Sequence, residues 1–143
     1  MKHLLVIISV ILFTFSLAGC NPGKALTGDA KTEVLAYTEP MADTLLAGLI
    51  ANDYNEFSKD FDEAMLKGID DNGFADLKSM LDSKIGGYQS REVTGVAEVD
   101  ENILIVYNAI FEKAPEVTIR FSVSVAEPHQ VTGLWFDSPE LRK

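Results

Sequence analysis

The spacing of apolar residues changes at Gly86-Gly87, and this change constrains the fold more than any other feature of the chain. Before it, apolar residues recur at steps of three and four, which is typical of amphipathic helices. After it, alternation with a period of two dominates and is clearest from Val117 to Val125, where Thr, Arg and Ser fill the intervening positions. A block of helices followed by a block of strands predicts an α+β domain.

The first block predicts three helices. The first covers Lys31 to Ala51 and contains Pro40, which either starts its regular part or kinks it. The second is short and covers the segment from Asp53, a predicted N-cap, to Gly68. The third has Asp71 or Asn72 as its N-cap and ends at the glycine pair.

The second block predicts four strands, at residues 88–99, 103–112, 117–125 and 130–137. The links between them are short and rich in turn-forming residues, so neighbouring strands are expected to be antiparallel. Gly95 and Gly133 lie inside strands and are candidate bulge or bend points. The predicted fold is α+β, with about three N-terminal helices packed on the concave face of a curved four-stranded antiparallel meander.

Four segments follow one another in a characteristic order and spacing: Phe57–Met65, Gly87-Tyr88, Tyr107–Glu112 and Val131–Phe136. Together they resemble domain-of-unknown-function family 3887, over roughly residues 31–137. The resemblance implies the cone-shaped, nuclear-transport-factor-two-like (cystatin-like) fold. Relatives with that fold include ketosteroid isomerases, dehydratases and non-catalytic binding modules, so the resemblance implies an architecture and no activity.

The N-terminal segment predicts export and lipid anchoring. Lys2 and His3 precede an apolar run from Leu4 to Leu17, which is shorter than the ~20 residues of a membrane-spanning helix. The run ends in Leu17-Ala18-Gly19-Cys20, which matches a lipobox, so we expect cleavage before Cys20 and a diacylglyceryl group on its thiol. The predicted organisation is a signal peptide at 1–19, a lipidated cysteine and tether at 20–30, and a single α+β domain at 31–143. The expected location is the cell membrane, facing outside the cytoplasm.

Composition argues against several function classes. Removal of residues 1–19 takes away Lys2 and leaves 11 basic and 22 acidic residues, a net charge of −11, so nucleic acid and anionic lipid are not expected partners. Cys20 is the single cysteine, so no intrachain disulfide is expected and acylation leaves no catalytic thiol. His129 is the only histidine after the signal, and Asp70–Gly73 does not fit a calcium loop. We therefore expect no metal and no cofactor.

Tyr107, Arg120 and Trp135 are the candidate ligand-binding residues. Tyr107, also the catalytic candidate, is either a donor facing a carboxylate base or a core tyrosine bonded to a backbone carbonyl. Arg120 lies opposite the main apolar row, where it either binds a carboxylate ligand or pairs with a neighbouring strand. Trp135 and Phe136 point to opposite faces of the last strand, so one of them is expected outside the core. It is exposed there as a docking patch or covered by residues 138–143.

These features favour a lipid-anchored extracytoplasmic module that binds a small apolar ligand or a partner protein, without catalysis. Two alternatives stay open: a pocket enzyme of the ketosteroid isomerase or dehydratase kind, and a sheet that self-associates as a homodimer. A carboxylate within hydrogen-bond reach of Tyr107 would favour the enzyme. A cone filled by Phe and Leu side chains would argue against it.

The anchor makes a direct prediction for Cys20→Ser. Without the thiol no lipid can be attached, and the acidic surface offers no other means of holding a membrane, so the variant is expected in the soluble fraction. Immunoblotting of membrane and soluble fractions after a high-salt wash measures this. A variant that stays with the membrane would show that the apolar run is instead a retained anchor.

Overall fold

The computed structural model describes residues 23–143, so the predicted signal peptide and Cys20 lie outside the described residues. The described part is an α+β domain, as the sequence predicts. Its elements are β1 (Lys24–Ala25), α1 (Gly28–Ala51), α2 (Tyr54–Phe57), α3 (Glu63–Gly68), α4 (Asp71–Lys84), β2 (Tyr88–Val99), β3 (Asn102–Phe111), β4 (Ala114–Ser124) and β5 (Val131–Asp137). Within these residues, no helix is both long and apolar enough to span a bilayer.

The five strands form one sheet in the order β1-β2-β3-β4-β5, and every neighbouring pair is antiparallel. The four predicted strands correspond to β2–β5. The predicted count of four is wrong, because the two-residue β1 adds a fifth strand that is too short to produce an alternating pattern. Register shifts occur next to Gly95 and next to Gly133, the two predicted bend points.

The domain begins earlier than the predicted boundary at Lys31. Lys24 and Ala25 pair with Glu98 and Ala97 of β2, and the buried Leu26 donates its N–H to the carbonyl of Val96. Helix α1 follows at Gly28. The second half of the predicted tether therefore belongs to the folded domain, because pairing with β2 satisfies backbone groups that local sequence leaves open.

The helical block contains four helices, where three were predicted. The predicted second helix is two helices, because residues 58–60 form a turn and Phe61 forms a parallel bridge with Val131 of β5. Asp53 caps α2 as predicted, accepting from the N–H groups of Asn55 and Glu56. The cap of α4 is Asp70, one residue before the predicted positions, and it accepts from the N–H of Gly73.

The core lies between the helices and one face of the sheet, which we call the inner face. Apolar side chains from every helix pack there against alternating residues of β2–β5, such as Ile105, Phe121 and Val131. The opposite, outer face has no helix over it in the described part of the chain. Its positions include Leu104, Val106 and Arg120, none of which belongs to the core cluster. Folding therefore buries only one face of the sheet.

Gly48 of α1 lies in close contact with the backbone of α2. A Cβ atom at this position would lie 2.2 Å from the backbone nitrogen of Phe57 and 2.6 Å from its Cα. Backbone atoms cannot rotate away as a side chain does, so only glycine allows the buried Phe57 to pack this closely against α1.

Gly48→Ala is expected to destabilise the domain. Alanine favours a helix by about 1 kcal/mol over glycine, but the clash with a backbone costs more, and we expect a net loss of about 2 kcal/mol or more. Urea unfolding of residues 21–143 measures the free energy of unfolding. Gly68→Ala at the end of α3 is the matched control, because its Cβ would meet nothing within 4 Å. Equal stability of the two variants would contradict this packing.

Candidate functional site

The structure separates the three candidate residues into two places. Tyr107 lies on the inner face of β3, and Arg120 of β4 and Trp135 of β5 are direct partners across the outer face. Trp135 and Phe136 point to opposite faces, as predicted, with Phe136 packed against the core. The sheet thus has an inner polar cluster and an outer patch, which do not share a surface.

Tyr107 makes the central contact of the inner cluster. Its side chain is 1 % exposed, and its hydroxyl donates a hydrogen bond to Oε1 of Glu39, on α1, at 2.6 Å. The partner is a carboxylate, so the predicted core role with a backbone carbonyl is wrong in its acceptor. Tyr107 reaches it because α1 crosses the inner face with Glu39 turned toward β3.

Arg91 of β2 completes this cluster. Its Nη2 lies 3.1 Å from Oε2 of Glu39 and 2.8 Å from Oδ1 of Asp43, one helical turn further along α1. The guanidinium carbon lies 4.9 Å from the centre of the Tyr107 ring, an attractive cation–π distance. The Arg91 side chain is only 10 % exposed, and its Nε is buried with no hydrogen-bond partner in the described part of the chain. One guanidinium therefore binds α1 to the sheet through two carboxylates.

The surroundings of the cluster keep the Tyr107 hydroxyl protonated and the Arg91 guanidinium charged. Burial raises the pKa of Tyr107, and the hydrogen bond to the Glu39 carboxylate raises it further, while the charge of Arg91 opposes this only in part. Burial lowers the pKa of Arg91, but its contacts with Tyr88, Asp43 and Glu39 outweigh burial and raise it overall. Tyr107 is thus a fixed proton donor to Glu39, and Arg91 stays charged.

The interior next to Tyr107 is filled. The cavity that Tyr107 lines with Leu45, Phe121 and Leu134 measures about 10 Å³. That is at the lower limit for one water molecule and far below the several hundred Å³ of a ligand pocket. The cavity beside the Tyr107 ring is therefore too small for a substrate, whereas the Glu39 side chain of the pair is 35 % exposed.

Sequence reasoning missed Glu39, Asp43 and Arg91. Arg91 lies on the same face of β2 as Val93. A strict period of two would therefore have placed the charge of Arg91 in the apolar row of this strand. That signal is obscured because β2 contains two register shifts, between Tyr88 and Ser90 and between Val93 and Gly95. The i,i+4 spacing of Glu39 and Asp43 is visible in the sequence, but such pairs are common on solvated helix faces.

The outer patch forms an open groove. Its volume is about 370 Å³, and it is lined by Val99, Asp100, Asn102, Leu104, Arg120, Ser122 and Trp135. The Trp135 side chain is 55 % exposed, so the C-terminal residues do not cover it. A Cβ at Gly133 would lie 2.4 Å from Cη2 and Cζ3 of Trp135, so the edge of the indole ring lies over this glycine. The absent side chain at 133 is what lets the ring lie along the sheet and form one wall of the groove.

Arg120 is exposed and makes no ion pair with any residue in the 23–143 range. The acid on the neighbouring strand, Asp137, is bound by both guanidinium nitrogens Nε and Nη2 of Arg142, at 2.9 and 2.6 Å. That contact is the main cause that lowers the pKa of the Asp137 carboxyl, and the nearby positive charge of Arg120 lowers it further. Asp137 is therefore bound by Arg142 and makes no ion pair with Arg120, so the guanidinium of Arg120 is available to bind an anionic group.

The structure offers no metal centre in its described part: no three His, Cys, Asp or Glu side chains come together as a ligand group between residues 23 and 143. The imidazole of His129 stacks on the ring of Tyr37 at 3.9 Å, and its Nδ1 lies 3.0 Å from the carbonyl oxygen of Ser124. Stacking and backbone contact account for this residue without a ligand.

Comparison with known proteins adds no relative: the chain matches no protein-family model, no curated protein and no solved structure.

The raised pKa of Tyr107 predicts a loss of stability at alkaline pH. Below about pH 10 both the folded and the unfolded chain keep the proton, so the contribution is constant. Above it the unfolded chain releases the proton first, and the free energy of unfolding falls by up to about 1.4 kcal/mol per pH unit.

Urea unfolding between pH 8 and pH 11 compares the wild type with Tyr107→Phe. We expect the variant to lose about 1–2 kcal/mol at pH 8, because Glu39 loses a donor, and to decline less steeply above pH 10. Because the other tyrosines and the lysines titrate in both proteins, the difference between the two curves isolates Tyr107. Parallel curves throughout would rule out this pKa direction.

Proposed function

We propose that this protein is a lipid-anchored extracytoplasmic binding module, without catalysis, which takes a small ligand or a partner protein in the groove between Trp135 and Arg120. One observation carries the proposal. The outer face presents a half-exposed indole beside an arginine that has no ion pair within residues 23–143, in an open groove of about 370 Å³. Exposed aromatic and arginine side chains are the residues most enriched at binding hot spots.

The filled interior supports the same assignment. A binding module of this fold has two surfaces to choose from, the inside of the cone and the outer face of the sheet. The cavity at Tyr107 has room for at most one water, whereas the outer groove has the size of a small-molecule site. Of these two surfaces, the outer face is the one with space for a small ligand.

The nuclear-transport-factor-two-like cone and membership of family 3887 are part of this proposal. Helices on one face of an antiparallel sheet, with register shifts at Gly95 and Gly133, are what such a cone requires. The anchor at Cys20 and the location at the cell membrane, facing outside the cytoplasm, are proposed from the lipobox and the acidic mature chain.

A pocket enzyme of the isomerase kind is the second candidate, favoured by one observation. The hydroxyl of Tyr107 and the carboxylate of Glu39 lie within hydrogen-bond distance, which is the donor and base pairing that such chemistry needs. An isomerase activity requires the interior next to Tyr107 to open, so that a substrate can enter. Turnover of a substrate by residues 21–143, abolished in Tyr107→Phe, would establish this candidate and overturn the first.

Binding at the outer groove is tested with anilinonaphthalene sulfonate, an anionic aromatic probe suited to an indole and a guanidinium. Trp135 is the single tryptophan, so energy transfer from it reports probe bound to the domain, and the variants below locate the site. We expect saturable binding to residues 21–143, and an affinity about tenfold lower, or about 1.4 kcal/mol, in Arg120→Ala. In Trp135→Phe the transfer signal is lost, and probe fluorescence excited directly reports the weaker binding.

Ile50→Ala is the matched control. Ile50 is a 59 % exposed apolar residue on α1 that does not line the outer groove, so its removal tests whether any exposed apolar side chain binds the probe. Circular dichroism establishes that each variant is folded. Equal affinity for the probe in the wild type, Arg120→Ala and Ile50→Ala would show that the groove is not the binding site.

A further inference from the structure

The chain enters the domain at the end of the outer groove. A Cβ at Gly23 would lie 2.7 Å from Cγ2 of Val99 and 3.0 Å from the carbonyl oxygen of Glu98, so the first described residue lies against β2. Val99 is also one of the residues that line the groove. The side chain of Val99 is therefore next to the first described residue and also lines the groove.

The distance from the lipidation site to this point is short. Three peptide units separate Cys20 from Gly23, which is at most about 11 Å when fully extended. The predicted tether of ten residues would have allowed about three times that distance. If Cys20 is acylated, the membrane surface therefore lies beside Val99, at the end of the groove, and the domain has little freedom to turn that end away.

The groove has the side chains of a membrane interface. Trp135 presents a half-exposed indole, and indole rings prefer the headgroup level, where one side is apolar and the other wet. Leu104 and Val99 give the groove an apolar floor. Arg120, without an ion pair in the described part, has the planar donor pattern that binds a phosphate with two hydrogen bonds.

The charges select the kind of lipid. Asp100 and Arg120 line the same groove with opposite charges, and Glu101 follows at the tip of the β2–β3 hairpin. An anionic membrane would be repelled by these carboxylates and by the net charge of −11 of the mature chain. A zwitterionic headgroup has a phosphate for Arg120 and an ammonium for Asp100, so the groove complements both of its charges.

We propose that the groove of Val99, Asp100, Leu104, Arg120 and Trp135 binds zwitterionic phospholipid headgroups of the membrane in which Cys20 is anchored, so that the outer face of the sheet lies on the bilayer. This proposal rests on the proposed anchor and outer-face binding site, and it names their ligand. The lipid on Cys20 holds the chain, and the groove orients it.

The test uses the full, processed and lipidated chain in phosphatidylcholine vesicles whose acyl chains carry bromine. Bromine quenches tryptophan only at short range, and Trp135 is the only tryptophan. We expect quenching of about twofold or more relative to unbrominated vesicles, on the premise that indoles lie at the headgroup level. Replacing phosphatidylcholine by anionic phosphatidylglycerol, or introducing Arg120→Ala, is expected to reduce the quenching.

The matched control moves the indole to the helical layer. In the double variant Trp135→Phe/Met80→Trp, the single tryptophan is on α4, at a position where the native side chain is 38 % exposed. Its emission is expected to be insensitive to bromine. Equal quenching of the two proteins, or none in either, would overturn the proposal.

Flotation of the same vesicles separates this failure from failure of the anchor. Protein that floats with the vesicles while Trp135 stays unquenched is anchored by its lipid but does not bind phospholipid in the groove. Protein with Cys20→Ser that floats equally well would instead refute the anchor. A change in Trp135 emission that follows protein concentration and ignores bromine would make a second copy of the chain the occupant, which also overturns the proposal.

Discussion

The contact of α1 with the inner face of the sheet is the constraint on which the rest of the structure depends. Leucines of α1 supply one side of the core, and Glu39 and Asp43 on the same helix bind Arg91 and the hydroxyl of Tyr107. Apolar burial provides most of the stability, since it scales with area. The charged cluster makes the packing specific, because the guanidinium of Arg91 on β2 binds only the part of α1 that contains Glu39 and Asp43.

Packing of α1–α4 on one face divides the sheet into a surface that folding buries and a surface that stays exposed. The inner face has no space for a ligand beside Tyr107, while the outer face retains an open groove with an exposed indole. The same two-layer arrangement brings the N-terminal segment against Val99, beside that groove. The first described residue therefore lies beside the groove, which is what connects the proposed lipid on Cys20 with the proposed phospholipid site.

Sequence periodicity predicted the larger elements well and the smaller ones poorly. Strands β2–β5 and helix α1 are long enough for several repeats of their period, so their existence was predictable. The two-residue β1, the break between α2 and α3, and Asp70 as the cap of α4 depend on contacts with distant residues or on single hydrogen bonds. Of the site, Arg120 and Trp135 were predicted as candidates, but their pairing across β4 and β5 required the register.

The sequence by itself determined the α+β class, the antiparallel order of the long strands and the opposite directions of Trp135 and Phe136, because these follow from local period and short links. Only the tertiary structure decided that Glu39 and Arg91 meet Tyr107, 68 and 16 positions apart in sequence, and that the interior is filled. The physical reason is the same in each case. Register shifts reset which side chains share a face, and packing between distant elements has no signature in the spacing of one chain segment.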